Sequence, residues 1–115
     1  MGLKLLMMMY IATVTPTAYQ PIPSQTDATP LIAANGKTVH SDGVAVSRDL
    51  HKRWGGPLDF GDAIYIEGIG VKIVNDVMHT RHVKAVDILV WNDAQEKKFW
   101  EQWKGKKVKV WKLST

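Results

Sequence analysis

Short runs of β-branched and aromatic residues, cut at close intervals by glycine, proline and Asx-Gly pairs, most narrow the folds open to this chain. The runs cover residues 10–19 (YIATVTPTAY), 37–40, 44–47, 63–67, 71–76, 86–91 and 106–113. Val, Ile, Thr and aromatic residues fit a pleated, half-buried surface better than a helix. Asn35-Gly36 and Asp42-Gly43 are hairpin-type turns on either side of the 37–40 run. Pro16 lacks a backbone donor, so the first strand is expected to be irregular or to lie at a sheet edge. Residues 20–30 read as a polar loop. Residues 48–62, with Trp54, Gly55, Gly56, Pro57 and Gly61, read as a loop holding one helical turn near 48–53. A single helix follows Asn92: Asn92 caps it, Gln95 stands three residues on, and Asp93 and Glu96 occupy its positive first turn. Phe99, Trp100 and Trp103 form its apolar face and Gly105 ends it.

In a chain of 115 residues this pattern predicts one domain, a mainly β small barrel with one or two short helices. A small barrel fills its interior with side chains, so polar chemistry must sit in a groove on its surface. With no cysteine, disulfide frameworks and thiolate zinc sites are excluded. The net charge of +4 is local in origin, since seven lysines lie between Lys97 and Lys112. Such a face attracts anionic partners, or serves as a solvated, soluble surface. Nucleic-acid binding is not expected: Trp100, Trp103 and Trp111 interleave with these lysines, but periodicity turns most of them to the core. MGLKLLMMMYIA carries one lysine and a short apolar run, so residues 1–13 are read as a leader or anchor remnant running into the first strand. It is far shorter than a membrane span, and a tether through the N-terminus fits it better.

Chemistry is expected at two aspartates eleven residues apart, Asp76 at the end of VKIVND and Asp87 inside AVDILVW. A carboxylate among Val, Ile and Leu is costly to desolvate unless paired, solvated or functional. In its strand Asp87 shares a face with Leu89 and Trp91, while Val86, Ile88 and Val90 point the other way. Burial and a second carboxylate both hold a proton on such a group, as a general acid requires. The bland alternative makes Asp76 a turn cap and pairs Asp87 with backbone amides or Lys84. HTRH places His79 and His82 three apart, a weak metal signal with no third ligand at a fixed offset, so no metal or other cofactor is assigned.

The segments TAYQPIPSQTDATPLIAANG, VAVSRDL, AIYIEG and VNDVM…VDILV, followed by a helix and KVKVW, resemble the 3D domain. That family is named for three aspartates and belongs to the RlpA-like double-psi β-barrels, with relatives among MltA-type lytic transglycosylases and stationary-phase survival proteins. The resemblance runs from about Val14 to Trp111. It implies a six-stranded double-psi barrel over residues 14–115, acting on peptidoglycan glycan strands in the periplasm or cell wall. Asp87 takes the position of the catalytic acid/base and Asp76 that of its partner. Tyr19, Thr26, Asp27 and Thr29 would line the groove, with Ser47, Asp49, His79 and Arg81 as further substrate contacts. Trp54 is either a pyranose-stacking ring or a loop anchor. The chain departs from the pattern in three places. VMHTRHVKA replaces a glycine-rich loop, Ser47 stands where an aspartate often follows AV, and the 48–62 link is longer than usual. Asp27 or Asp49 would then complete the trio. Two other activities remain open on the residues: an inverting glycoside hydrolase using both aspartates, and a non-catalytic glycan-binding module.

Overall fold

Six strands close on themselves in the order β1-β5-β2-β4-β3-β6. The computed structural model describes residues 6–21 and 42–114. The strands are β1 (Met7–Tyr19), β2 (Gly43–Val46), β3 (Ala63–Ile66), β4 (Gly70–Val77), β5 (Ala85–Leu89) and β6 (Val108–Ser114), with α1 (Asp93–Trp103) between the last two. Two pairs are parallel, β1 with β5 and β2 with β4; the other pairs are antiparallel. The expected mainly β six-stranded barrel is present in strand count and closure. The 37–40 run, the Asn35-Gly36 turn, Thr26, Asp27 and Thr29 lie outside the described residues.

The interior is filled by one side of each strand. Val14 and Ala18 from β1, Val44 and Val46 from β2, Ile64 and Ile66 from β3, Val74 from β4, Val86 and Ile88 from β5 and Val108 and Val110 from β6 form one buried cluster. At about 25 cal/mol per Å² of apolar surface removed from water, these side chains supply the main driving force for closure. Their alternation leaves Thr15, Thr17, Tyr19, Asp87 and Leu89 on the outer wall.

Pro16 corrects the edge-strand expectation. β1 pairs with β6 from Met7 to Val14 and then with β5 from Thr15 to Tyr19. Thr15 N–H donates to the Lys84 carbonyl at 2.9 Å, so alternation turns the nitrogen of Pro16 away from β5. It faces the side where β6 has already ended, and no ladder bond is lost. Pro16 is instead fully buried. The strand itself begins at Met7, within the segment read as leader.

The helix starts as its sequence requires. Asn92 Oδ1 accepts from Gln95 N–H at 2.8 Å, and Gln95 Oε1 accepts from Trp91 N–H at 2.8 Å. Such a cap contributes about 1 kcal/mol. Gly105, at φ 76°, supplies the left-handed residue that ends the last turn. Phe99 is buried and Trp100 and Trp103 pack on the barrel. The 48–62 link contains two 3-10 turns, Arg48–Leu50 and Lys52–Trp54. Among the described residues no helix is long and apolar enough to cross a membrane.

Candidate active site

Register places four residues in one row across the outer wall: Thr17 on β1, Asp87 on β5, Ala45 on β2 and Asp76 on β4. Neighbouring strands lie about 4.8 Å apart, so the backbones of the two aspartates stand about 10 Å apart with one alanine methyl between them. Asp87 reaches this face by simple alternation. Asp76 does not, because it has the parity of Val74, which points inward.

A β-bulge changes that. Val44 pairs with Val74 but Ala45 pairs with Asp76, leaving Asn75 as an extra residue on β4. A bulge of this kind re-aims the side chain that follows it. The buried Asn75 side chain occupies the space over Gly43, where a Cβ would lie 2.2 Å from Asn75 Nδ2. Asp76 Oδ1 accepts from Val77 N–H at 2.8 Å, which holds the carboxylate at the strand end.

Asp87 is pushed up to about 6. Burial is the largest cause; the charges of Asp76 and Glu96 add to it, and a 2.8 Å hydrogen bond from Thr17 Oγ1 to Asp87 Oδ1 opposes it. Lys84 does not neutralise Asp87: its side chain is exposed, and no ion pair joins the two among the described residues. Tyr19 is buried beside Leu89, and its phenol is held protonated first by burial and then by the charges of Asp76 and Asp87. The site therefore brings two aspartates, one of them with a raised proton affinity, and a phenol to one wall. Thr17→Val removes the group that favours ionised Asp87, so its titration midpoint should move above about 6. Carboxyl carbon NMR on the variant measures this, and an unchanged or lower midpoint would contradict the placement of that hydrogen bond.

Ser47 and Asp49, both expected as substrate contacts, each bond to the start of β5. Ser47 is fully buried, and its hydroxyl accepts from Ala85 N–H at 3.0 Å. Asp49 is exposed, but its two oxygens accept from Lys84 N–H at 3.3 and 3.1 Å, where Lys84 takes the unusual φ of 44°. Together they pin the start of β5, two residues before Asp87. Ser47 is closed to any ligand because the barrel folds over it. His79 and Arg81 are exposed in the loop between β4 and β5, whose ends carry the two aspartates. Arg81 Nε donates to His82 Nε2 at 3.3 Å, which requires neutral His82; burial, Arg81 and His79 all favour that form. Trp54 is exposed, with guanidinium groups at 4.9 Å (Arg48) and 5.2 Å (Arg53) from its ring centre.

Thr17 and Glu96 were not singled out as site residues from sequence. Thr17 had one available signal: TAY places it two residues before Tyr19, on the same face of β1. Fold and site together define a small closed barrel with a row of acidic and hydroxyl groups on its outer wall. No protein-family model and no curated protein matches the chain.

Proposed function

We propose that this barrel is a lytic transglycosylase that cuts the MurNAc-β-1,4-GlcNAc bond of peptidoglycan. The observation that supports it most is an aspartate raised to about 6 beside a second carboxylate on an outer wall. At pH 7 about one-tenth of such a group is protonated, against about one-thousandth for an ordinary aspartate. The resemblance of the motif order to the 3D domain supplies the substrate class.

In this reading Asp87 donates its proton to the glycosidic oxygen as the bond to C1 breaks. Asp76 remains ionised and stabilises the positive charge developing at the ring. Asp87, now a carboxylate, accepts the proton of the C6 hydroxyl as that oxygen closes on C1. One bond breaks, one forms, and no water is consumed. Tyr19 offers a neutral hydroxyl to the sugar, and the exposed His79 and Arg81 meet the anionic peptide stems. Such an activity belongs in the periplasm or cell wall.

Hydrolysis is a second reading that one observation favours. Carboxylates carried by strands about 10 Å apart leave room for a water between acid and base, as inverting glycosidases need. Products separate the two. Digestion of purified sacculi should release fragments ending in 1,6-anhydro-muramic acid. New reducing ends instead would support the hydrolase, and binding without any release would leave a glycan-binding module.

A further inference from the structure

The 48–62 link between β2 and β3 is folded more tightly than a passive connection needs. His51 is buried; its Nδ1 accepts from Arg53 N–H at 3.1 Å, and its ring lies against Trp54 and Phe60, with centroids 5.7 and 4.4 Å away. Leu58 is fully buried, and its N–H donates to the Leu50 carbonyl at 2.9 Å. Gly56 passes so close to the preceding segment that a Cβ there would lie 2.3 Å from the Leu50 carbonyl carbon. This clamped turn nonetheless leaves Trp54 41% exposed. With guanidinium carbons 4.9 and 5.2 Å from the centre of that ring, Arg48 and Arg53 hold two positive charges no more than about 10 Å apart. Among the described residues no carboxylate pairs with either one. Asp49, next to Arg48 in the chain, turns both oxygens to Lys84 N–H.

We propose that Arg48, Arg53 and Trp54 form a subsite for a peptide carboxylate, which takes the acidic stem of the glycan substrate beside the aspartate row. The proposal rests on the substrate class of the preceding reading and adds a second anchor for the stem beyond His79 and Arg81. Like charges held this close repel one another, and an anion between them relieves the repulsion. A guanidinium over a ring keeps its N–H groups in its own plane, where they meet a carboxylate in pairs. A stacked pyranose would instead compete with the guanidinium groups for the ring. Arg48 Nε donates to the Met78 carbonyl at 3.3 Å, which leaves the terminal N–H groups for a ligand. The same bond locates the cluster: Met78 lies two residues beyond Asp76 and directly before His79. The clamped turn sets the cations in place before binding, so little ordering is left for the ligand to impose.

Arg53→Gln tests this with the fold intact, because Arg53 is exposed and its bond to His51 is made by the backbone. The probe is a soluble stem peptide with free carboxylates, followed by NMR through the Trp54 indole N–H. That peptide should move the signal, and the same peptide with its carboxylates amidated should not. Arg53→Gln and Arg48→Gln should each weaken binding about tenfold. Lys52→Gln removes the same charge from the exposed residue beside Arg53 and should weaken binding less than about twofold. An equal response to the amidated peptide or to a peptide-free glycan overturns the proposal. So do equal losses in Lys52→Gln and Arg53→Gln, or no response to the free peptide at about 10 mM. No glycan need be cut for this measurement. A protein that binds the stem peptide in this way yet cuts no glycan would refute the transglycosylase reading and leave the subsite standing. One that cuts glycans and ignores the peptide would do the reverse.

Discussion

Asp87→Asn should lower the proposed glycan cleavage by about 10³-fold and at the same time make the protein more stable at pH 8. The two effects have one cause. Asp87 is raised to about 6 in the folded chain, mainly by burial, while in the unfolded chain it returns to the ordinary range near 3.8. Between those values the folded state binds more protons than the unfolded one, so stability falls as pH rises through the window. Above about 6 the folded protein carries a half-buried carboxylate beside Asp76 and Glu96, and the strain is fully present. Asparagine removes the charge yet still accepts from Thr17. Two pKa units correspond to about 3 kcal/mol, which partial exposure reduces to about 1–3 kcal/mol.

Urea unfolding of both proteins at pH 8 and below pH 4 measures the difference. The variant should gain at pH 8, and most of the gain should vanish at low pH, where both forms are neutral. Release of anhydro-muropeptides at pH 6, followed by mass spectrometry, measures activity. Undiminished release would exclude Asp87 as the acid. A variant less stable at pH 8 than at low pH, each relative to wild type, would mean that Asp87 contributes a favourable charge interaction. Groups kept at a cost to stability are expected where chemistry needs them.

How legible such a site is in the sequence depends on how local its causes are. Asp87 could be placed on its face because alternation along VDILVW is a property of one strand, and Asn92 and Gln95 declare the helix start within four residues. The barrel could be foreseen from strand-length runs and turns. Partners were less legible. Pro16 pointed to an irregular or an edge strand, but β1 changes neighbours at Val14 and Thr15, a fact of closure and not of its own segment. Ser47 looked available for a ligand until the start of β5 folded over it. Glu96 reads as a first-turn acid, and its hydrogen bond to β1 exists only once α1 packs beside Gln20. Alternation alone would have sent Asp76 inward with Val74, and the bulge that turns it outward exists only in register with β2.

That dependence makes Gly43→Ala a large perturbation for a single methyl. The new Cβ would stand 2.2 Å from Asn75 Nδ2 and 2.8 Å from Asn75 Cγ, and Asn75 is buried. Asn75 must move, and it is the extra residue of the bulge. Overpacking of this kind costs about 1–3 kcal/mol. As the bulge shifts, Asp76 should leave the row, Asp87 should lose one of the charges that hold its proton, and its midpoint should fall. Asn75→Ala supplies the control. Asn75 Oδ1 is buried without a hydrogen-bond partner among the described residues, so trimming that side chain removes an orphaned acceptor and opens the space that the added methyl needs. The double variant should therefore be more stable than the sum of the two single effects predicts, by about 1 kcal/mol or more. If the two changes simply add, the contact between residues 43 and 75 does not set the bulge. If instead stability recovers while the Asp87 midpoint stays low, the Asn75 side chain is what aims Asp76.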